Sequence, residues 1–412
     1  MLESLYNILI NATEKFLPIG GLFGDKMRRF SKGRKDVLGQ LQKKISSSDR
    51  NIWIHAASLG EFEQAVPVIE RIKDEYPHYK IVVSFFSPSG YEIKKNSPLV
   101  DVVTYLPIDT KGNAKKFLDL VQPEWALFIK YEFWPNFLLE LKQRNINTLL
   151  VSGSFRIDQV FFKPYGKWMQ KYLYSFKHFF VQDEKSKEVL RSIGFENVTV
   201  NGDTRFDRVS HQLEHNNSMD FIEEFKGNQL CLVVGSSWPE DEEILLDFIN
   251  TSTNVKTIIA PHTINSQRIE QLRQRINRET VLFSGKEGVV LSENAVFIID
   301  TIGLLSRIYS YADIAYVGGA AGTTGLHNIL EPATFGVPVI IGKNYKKFPE
   351  ARQLQKLAGL FSVSTSGEAS AILSKLVRDR KFREKTGHIA EHFIQSNTGA
   401  TEKIMDYIHN FS

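Results

Sequence analysis

The chain of 412 residues has one cysteine, Cys231, so it can form no intramolecular disulfide and no cysteine metal cluster. That usage fits a reducing compartment. Excess charge is also scarce: 51 basic against 47 acidic side chains leave +4, which argues against a general nucleic-acid binder. No stretch reaches the roughly 20 consecutive apolar residues of a spanning helix. There is no low-complexity tract and no internal repeat with a period of about 20–50 residues. No G-x-G-x-x-G follows the first strand-like run, no glycine loop ends in Lys-Ser or Lys-Thr, and no Asp-x-Asp sits at a strand end. A dinucleotide fingerprint, a P-loop and an acidic metal motif are therefore missing. What is present is an ordinary globular mix, 42% hydrophobic and 24% charged, long enough for two or three domains with large cores.

The N-terminus, MLESLYNILINATEKFLPIGGLFG, is apolar but broken by Glu3, Glu14, Lys15 and Gly20-Gly21. Leu2, Leu5, Ile8 and Leu9 recur at helical spacing. The block KMRRFSKGRK at 26–35 follows, with six basic residues and no acidic one. A signal peptide carries its positive charge ahead of the apolar stretch, the reverse of this order. The pattern predicts an interfacial helix with a basic contact to an anionic membrane surface over residues 1–35, against the alternative of a helix packed on the protein body.

From Asn51 the chain alternates strand-like and helix-like segments. Apolar runs fall at 52–57, 80–86, 102–106, 125–129, 148–152 and 178–182. The stretch 61–76 puts Phe62, Val66, Ile69 and Ile72 on one helical face. The alternation pauses at 207–227, read as a linker with a leading helix. It resumes with runs at 230–236, 255–261, 295–300, 313–319 and 338–342. This is an α/β pattern of two Rossmann-like, doubly wound domains facing across a cleft, 36–206 and 228–394, with a closing helix in 395–412 that packs back on the first. Ligands in such sheets bind at the carboxyl ends of strands, where strand order reverses.

The unusual residues lie just after strands. Ser58-Leu59-Gly60-Glu61 reads as a capping box or as a rigid carboxylate suited to base work. Glu132, in KYEFWPN (130–136), reads as a solvated turn acid or a second functional carboxylate. Arg205, in GDTRFD (202–207), suits an anion or a hinge pair with an aspartate. In the second half, GSSWPEDEE (235–243) makes an anion-friendly turn, and PHTINSQR (261–268) puts Pro261 and His262 at a strand end and Arg268 in the next helix. Asp300-Thr301-Ile302-Gly303 follows another strand. The most specific piece is GGAAGTTGLHNILEPATFGVPVIIG (318–342), a glycine loop into a helix expected to open near His327. Asn328 and Glu331 would share a face there, with Glu331 able to accept from two ribose hydroxyls.

HAASLGE (55–61), EFWPN (132–136), GDTRFD (202–207) and GLHNILEP (325–332) together resemble the 3-deoxy-D-manno-octulosonic acid (Kdo) transferases over nearly the whole chain. The resemblance implies a GT-B fold and transfer of Kdo from CMP-Kdo to a lipid A precursor, lipid IVA, without metal or cofactor. It implies peripheral or anchored placement on the cytoplasmic face of the inner membrane through the N-terminal helix. It implies Glu61 as the general base, and Glu132 and Arg205 as transition-state stabilisers. Pro261, His262, Ile302, Gly303, Leu304, Asn328, Ile329, Leu330 and Glu331 match nucleotide contacts. Departing CMP needs positive partners, for which Ser236, Ser237 and Arg268 are candidates. The chain departs from the family where Arg205 replaces a common Lys, His262 an Arg, Leu304 an acidic residue and Lys130 a Glu. Two other functions share parts of the pattern. A GT-B nucleotide-sugar epimerase would need neither the apolar helix nor the basic block. A two-lobed binding module would hold a solute without consuming it.

Overall fold

The computed structural model describes residues 2–20 and 24–411. It divides into two compact units: residues up to Arg208 together with those from Thr398, and Val209–Asn397.

The first unit is built on seven strands: β1 (Arg50–Ala56), β2 (Tyr79–Phe85), β3 (Val102–Tyr105), β4 (Pro123–Ile129), β5 (Asn147–Gly153), β6 (His178–Val181) and β7 (Val198–Val200). Their order is β3-β2-β1-β4-β5-β6-β7, every pairing parallel. Parallel strands are covered on both faces, which is why they read as unbroken apolar runs. On β1, Ile52 and Ile54 enter one buried cluster and Trp53 the other. Trp53 packs with Phe117, Phe128 and Phe137 at ring distances of 4.9, 5.2 and 5.7 Å. The helix Leu59–Glu75 buries Phe62, Val66, Ile69 and Ile72, the face its spacing predicts. Against it packs the helix Ala400–His409, which adds Ile404, Met405 and Ile408 to the same cluster. Asp207 ties that segment down, accepting from Gly399 N (2.6 Å), Thr401 N (2.7 Å) and Thr401 Oγ1 (2.6 Å).

The second unit repeats the plan with β8 (Leu230–Ser237), β9 (Val255–Pro261), β10 (Thr280–Leu282), β11 (Val296–Ile298), β12 (Ile314–Val317), β13 (Val339–Ile341) and β14 (Leu360–Ser362), ordered β10-β11-β9-β8-β12-β13-β14. Strand order reverses between β1 and β4 in the first sheet and between β8 and β12 in the second. β7, β10 and β14, three residues each, have no counterpart among the expected strands, and all are edge strands. Within 207–227, the helix Asp220–Lys226 buries Ile222 and Phe225, and Phe225 packs on Phe297 of the second unit.

Residues 1 and 21–23 of the N-terminal segment lie outside the described residues. The helix Leu2–Gly20 docks by its polar side: Tyr6 Oη donates to Asp109 (2.6 Å), Asn136 Nδ2 to Asn7 Oδ1 (2.9 Å), and Glu3 pairs with Lys171. Leu2, Leu5, Ile8, Leu9 and Phe16 are exposed, so the apolar stripe is not core. The basic block is not uniform. Arg34 is pinned, donating to the carbonyls of Leu106 (3.0 Å) and Phe86 (2.7 Å) and lying over the Phe30 ring at 3.7 Å. Burial lowers its guanidinium to about 10.

Candidate active site

In the first unit the reversal point lies between β1 and β4, and the turns after these strands carry Glu61 and Glu132. Glu61 sits in the first turn of Leu59–Glu75 and is buried. The Ser58 side chain makes no backbone cap; its hydroxyl donates to the Glu61 carboxylate instead. Helix closure comes from Phe62 N to Ser58 O (3.1 Å). The Tyr131 phenol is held above its ordinary range by burial and by the charges of Glu61 and Glu132.

Beneath Glu132 runs a polar chain with no local sequence signature. His55 is fully buried. Its Nε2 accepts from Trp134 Nε1 (3.0 Å), which also reaches Glu132 Oε2 (3.2 Å). That assignment puts the imidazole proton on Nδ1, which meets Ser84 Oγ at 2.9 Å. Ser84 also accepts from Trp53 Nε1 (2.8 Å). The carboxylate of Glu132 is thus oriented from the core of the sheet. Asp109 performs a related task next door, accepting from Asn136 N (3.1 Å) and Phe137 N (3.0 Å) at the start of the helix Pro135–Gln143. Burial raises its carboxyl to about 6.

Arg205 is the second residue of the helix Thr204–His211. Thr204 Oγ1 donates to Gln64 O (2.6 Å), tying this helix to the one that carries Glu61. The Arg205 guanidinium is paired with Asp203 (2.8 Å), the Arg–Asp pair foreseen as its alternative. Asp203 also accepts from Gln64 and Gln182, both at 3.0 Å. Burial pushes its carboxyl up, but Arg205 and these donors outweigh burial and hold it below the ordinary range.

In the second unit the turn after β8 and the glycine loop after β12 meet at the other reversal point. Asp241, fully buried, accepts from Trp238 N (3.0 Å), Gly319 N (2.8 Å), Ala321 N (3.2 Å) and Tyr316 Oη (2.9 Å). A Cβ on Gly318 would lie 2.3 Å from Ser236 O, so only glycine lets the two turns approach. Ser236 has φ +53°, while the Ser237 hydroxyl is turned onto Glu242 (2.7 Å). Arg268 is held by Glu242 (3.1 Å) and Ser237 O (3.3 Å). Pro261 ends β9, His262 packs on Trp238 (4.8 Å) and on His327 (4.4 Å), and Trp238 Nε1 donates to His327 Nε2 (3.2 Å). Ile302 is 82% exposed, Gly303 has φ +91° and Leu304 is the N-cap of the short helix Leu305–Ile308.

The helix expected near His327 opens later, at Leu330, and spans Leu330–Thr334. Asn328 precedes it, accepting from Leu330 N (3.2 Å) and donating to Glu331 (3.1 Å). The side chains of Ile329 and Leu330 are in the core, leaving only their backbone for a ligand. Among the described residues no His, Cys, Asp and Glu cluster could hold a metal.

Burial lowers His327 to about 4, with His262 a second cause, and burial also lowers His262. Both are neutral in the folded state at pH 7. As pH falls from 7 to 5 the unfolded chain takes up protons, near pH 6.5, that folded His327 refuses, so their burial contributes stability that is lost on acidification. We expect His327→Gln to shrink the drop in thermal midpoint between pH 7 and pH 5. An unchanged drop would show that the ring titrates freely.

Residues 28–208 match the family described as 3-deoxy-D-manno-octulosonic-acid transferase (kdotransferase). The chain is 27% identical over 410 residues to the 3-deoxy-D-manno-octulosonic acid transferase of Haemophilus influenzae, covering 94% of this chain and 93% of that protein. It is 30% identical to the enzyme of the same name from Chlamydophila psittaci, covering 70% and 69%. Among solved structures, UDP-GlcNAc 2-epimerase from Neisseria meningitidis aligns with TM-score 0.62 and 14% identity over 87% of this chain and all of that one. MurG of Acinetobacter baumannii aligns with TM-score 0.55 and 12% identity over 88% and 99%. These likenesses establish the GT-B fold alone.

Proposed function

The chain belongs to the 3-deoxy-D-manno-octulosonic acid (Kdo) transferase family, glycosyltransferases of lipopolysaccharide biosynthesis, and on that premise we propose that it moves Kdo from CMP-Kdo to lipid IVA with Glu61 as base and no metal. The observation that carries the reading is the setting of Glu61: a buried carboxylate at the carboxyl end of β1, at the reversal point, whose contact is a neutral hydroxyl and not a cation. A lone pair remains for the acceptor's proton as its oxygen attacks the anomeric carbon. Glu132, aimed by Trp134, places negative charge where the sugar ring becomes cationic. Arg205 meets the departing phosphate, its geometry set by Asp203.

Nucleotide recognition is assigned to the second unit. Pro261, His262, the 302–304 turn, the backbone of Ile329 and Leu330, and the Asn328–Glu331 pair take the nucleoside. Ser236 and the glycine loop take the phosphate. Ser237 and Arg268 fit that role less well, since Glu242 already occupies both. The testing assay is incubation with CMP-Kdo and tetra-acylated lipid A precursor, read by mass with and without EDTA. Product in both arms is expected. Activity abolished by EDTA and restored by magnesium would overturn the metal-free reading.

No helix among the described residues is long and apolar enough to cross a membrane. The enzyme associates peripherally, through the exposed stripe of Leu2–Gly20 and the basic residues that follow. A cavity of about 540 Å³ in this unit is lined by Leu17, Pro18, Val37 and Leu38, with Lys32 and Lys35 and the carboxylates Glu14 and Asp36 beside them. We expect Ile8→Gln/Leu9→Gln/Phe16→Gln to shift the protein from the membrane to the soluble fraction while sparing the Tyr6–Asp109 contact. Full retention on membranes would place the contact elsewhere.

A further inference from the structure

Kdo is an acid whose carboxylate is bonded to the anomeric carbon, the same carbon that bears the phosphate of the donor. The donor therefore presents two anions a few bond lengths apart. The second unit has one set of groups for the phosphate, and the carboxylate needs another that adjoins it.

A cavity of about 530 Å³ opens between the glycine loop after β12 and the segment after β13. Gly322, Thr323 and Gly325 form one side, and Lys343, Lys346, Lys347 and Phe348 the other. Asn344 holds the two sides together: its backbone N–H donates to Ala320 O (2.9 Å) and its amide to Gly322 O (2.6 Å). The glycine loop thus borders this cavity and the turn of Ser236 at once. Among the described residues none of the three lysines is paired with a carboxylate, whereas Arg268, a candidate cation of the phosphate region, is committed to Glu242. Phe348 is the N-cap of the helix Pro349–Lys356, so the start of that helix, with Glu350 in its first turn, adjoins the same space. An unpaired triad of ammonium groups in a cavity lined otherwise by glycine, threonine, asparagine and an aromatic ring suits a small anion carried on a polar body.

We propose that this cavity is the subsite for the carboxylated sugar of the donor, with Lys343, Lys346 and Lys347 as charge partners of the carboxylate. The inference rests on the reading of the chain as a Kdo transferase that binds its donor in the second unit. The lysines are exposed and the contact is screened, so it acts alike on the bound donor and on the transition state. Uniform binding of this kind sets KM and leaves kcat alone.

The experiment compares the parent with Lys343→Gln/Lys346→Gln/Lys347→Gln, with the matching Lys→Arg triple, and with Lys381→Gln/Lys385→Gln as a surface control. KM for CMP-Kdo, kcat, and inhibition by CMP are measured at low and high salt. The Gln triple should raise KM about tenfold at low salt, at modest gain per exposed pair, and keep kcat within about twofold. Inhibition by CMP, which has no sugar, should be unchanged. The Arg triple and the control should match the parent, and the parent's KM should rise with salt more than that of the Gln triple. An unchanged KM in the Gln triple overturns the subsite. Equal weakening of CMP and CMP-Kdo also overturns it, because the lysines would then serve the phosphate. A parent protein that binds CMP but never consumes CMP-Kdo would bring down the transferase reading, and this inference with it, before any variant is made.

Discussion

Glu61→Gln should give a folded protein that binds CMP as the parent does and turns over at least about 100-fold more slowly. The amide keeps the size of the carboxylate and can still accept from the Ser58 hydroxyl, but it cannot take the acceptor's proton. Its effect on folding should be small. Ser58 closes no backbone cap through its side chain, so what is lost is one charge in the first turn of a helix, about 0.3–1 kcal/mol. Loss of turnover with a thermal midpoint near the parent's therefore separates chemistry from structure. Near-normal turnover in a folded variant would move the base to Glu132. Glu63 is a poorer substitute, because it is already paired with Lys94 (3.1 Å) and with Arg208.

A loss of a different kind is expected from Asp241→Ala. Four donors converge on this buried carboxylate from three places in the chain: the turn after β8, the end of β12 and the glycine loop. The alanine leaves them without that acceptor, and Gly319 N and Tyr316 Oη are buried. Stranding buried donors of a charged acceptor costs about 3–5 kcal/mol. In a unit of this size that lowers the thermal midpoint by roughly 10 °C. CMP binding should fall too, since the loop that Asp241 holds in register borders the residues proposed to take the nucleotide. Asp241→Asn should lie between, keeping shape and one acceptor oxygen. Melting of Asp241→Ala at the parent temperature would mean that backbone contacts alone hold the loop.

Much of this molecule can be read from its residues, for identifiable reasons. Strands buried on both faces, such as Ile52-Trp53-Ile54, leave unbroken apolar runs, and the helix behind β1 advertises itself by Phe62, Val66, Ile69 and Ile72. Glu61 could be placed because a helix start directly follows a strand. The three-residue edge strands could not, since Val198–Val200 is too short for any period to show. Nor could contacts that span distance: Asp241 meets Gly319 78 positions away, and His55 meets Trp134 79 positions away. Arg34 belongs in sequence to the basic run expected to contact a membrane surface, but the carbonyls of Leu106 and Phe86 claim it. Ser237 looked like an anion ligand, and the competing partner, Glu242, lies five residues on in a neighbouring helix. The lysines at 343, 346 and 347 carried no signal in the sequence, because the wall facing them comes from a loop about twenty residues earlier.

The placement of the helix Ala400–His409 has a consequence for how the protein is made. Ile404, Met405 and Ile408 fill the cluster that also contains Phe62 and Ile69, and Asp207 holds the entry to that helix. On the ribosome these residues emerge only after the whole of Val209–Asn397 has been synthesised. The unit whose strands appear first is therefore the one completed last. The second unit is continuous in sequence and can close on itself while the earlier one still shows an uncovered apolar helix face to the cell. Nascent chains stalled just short of Thr398 should hold a protease-resistant second unit beside a first unit open at Leu59–Glu75. A chaperone that binds exposed aliphatic surface would find its target there during synthesis.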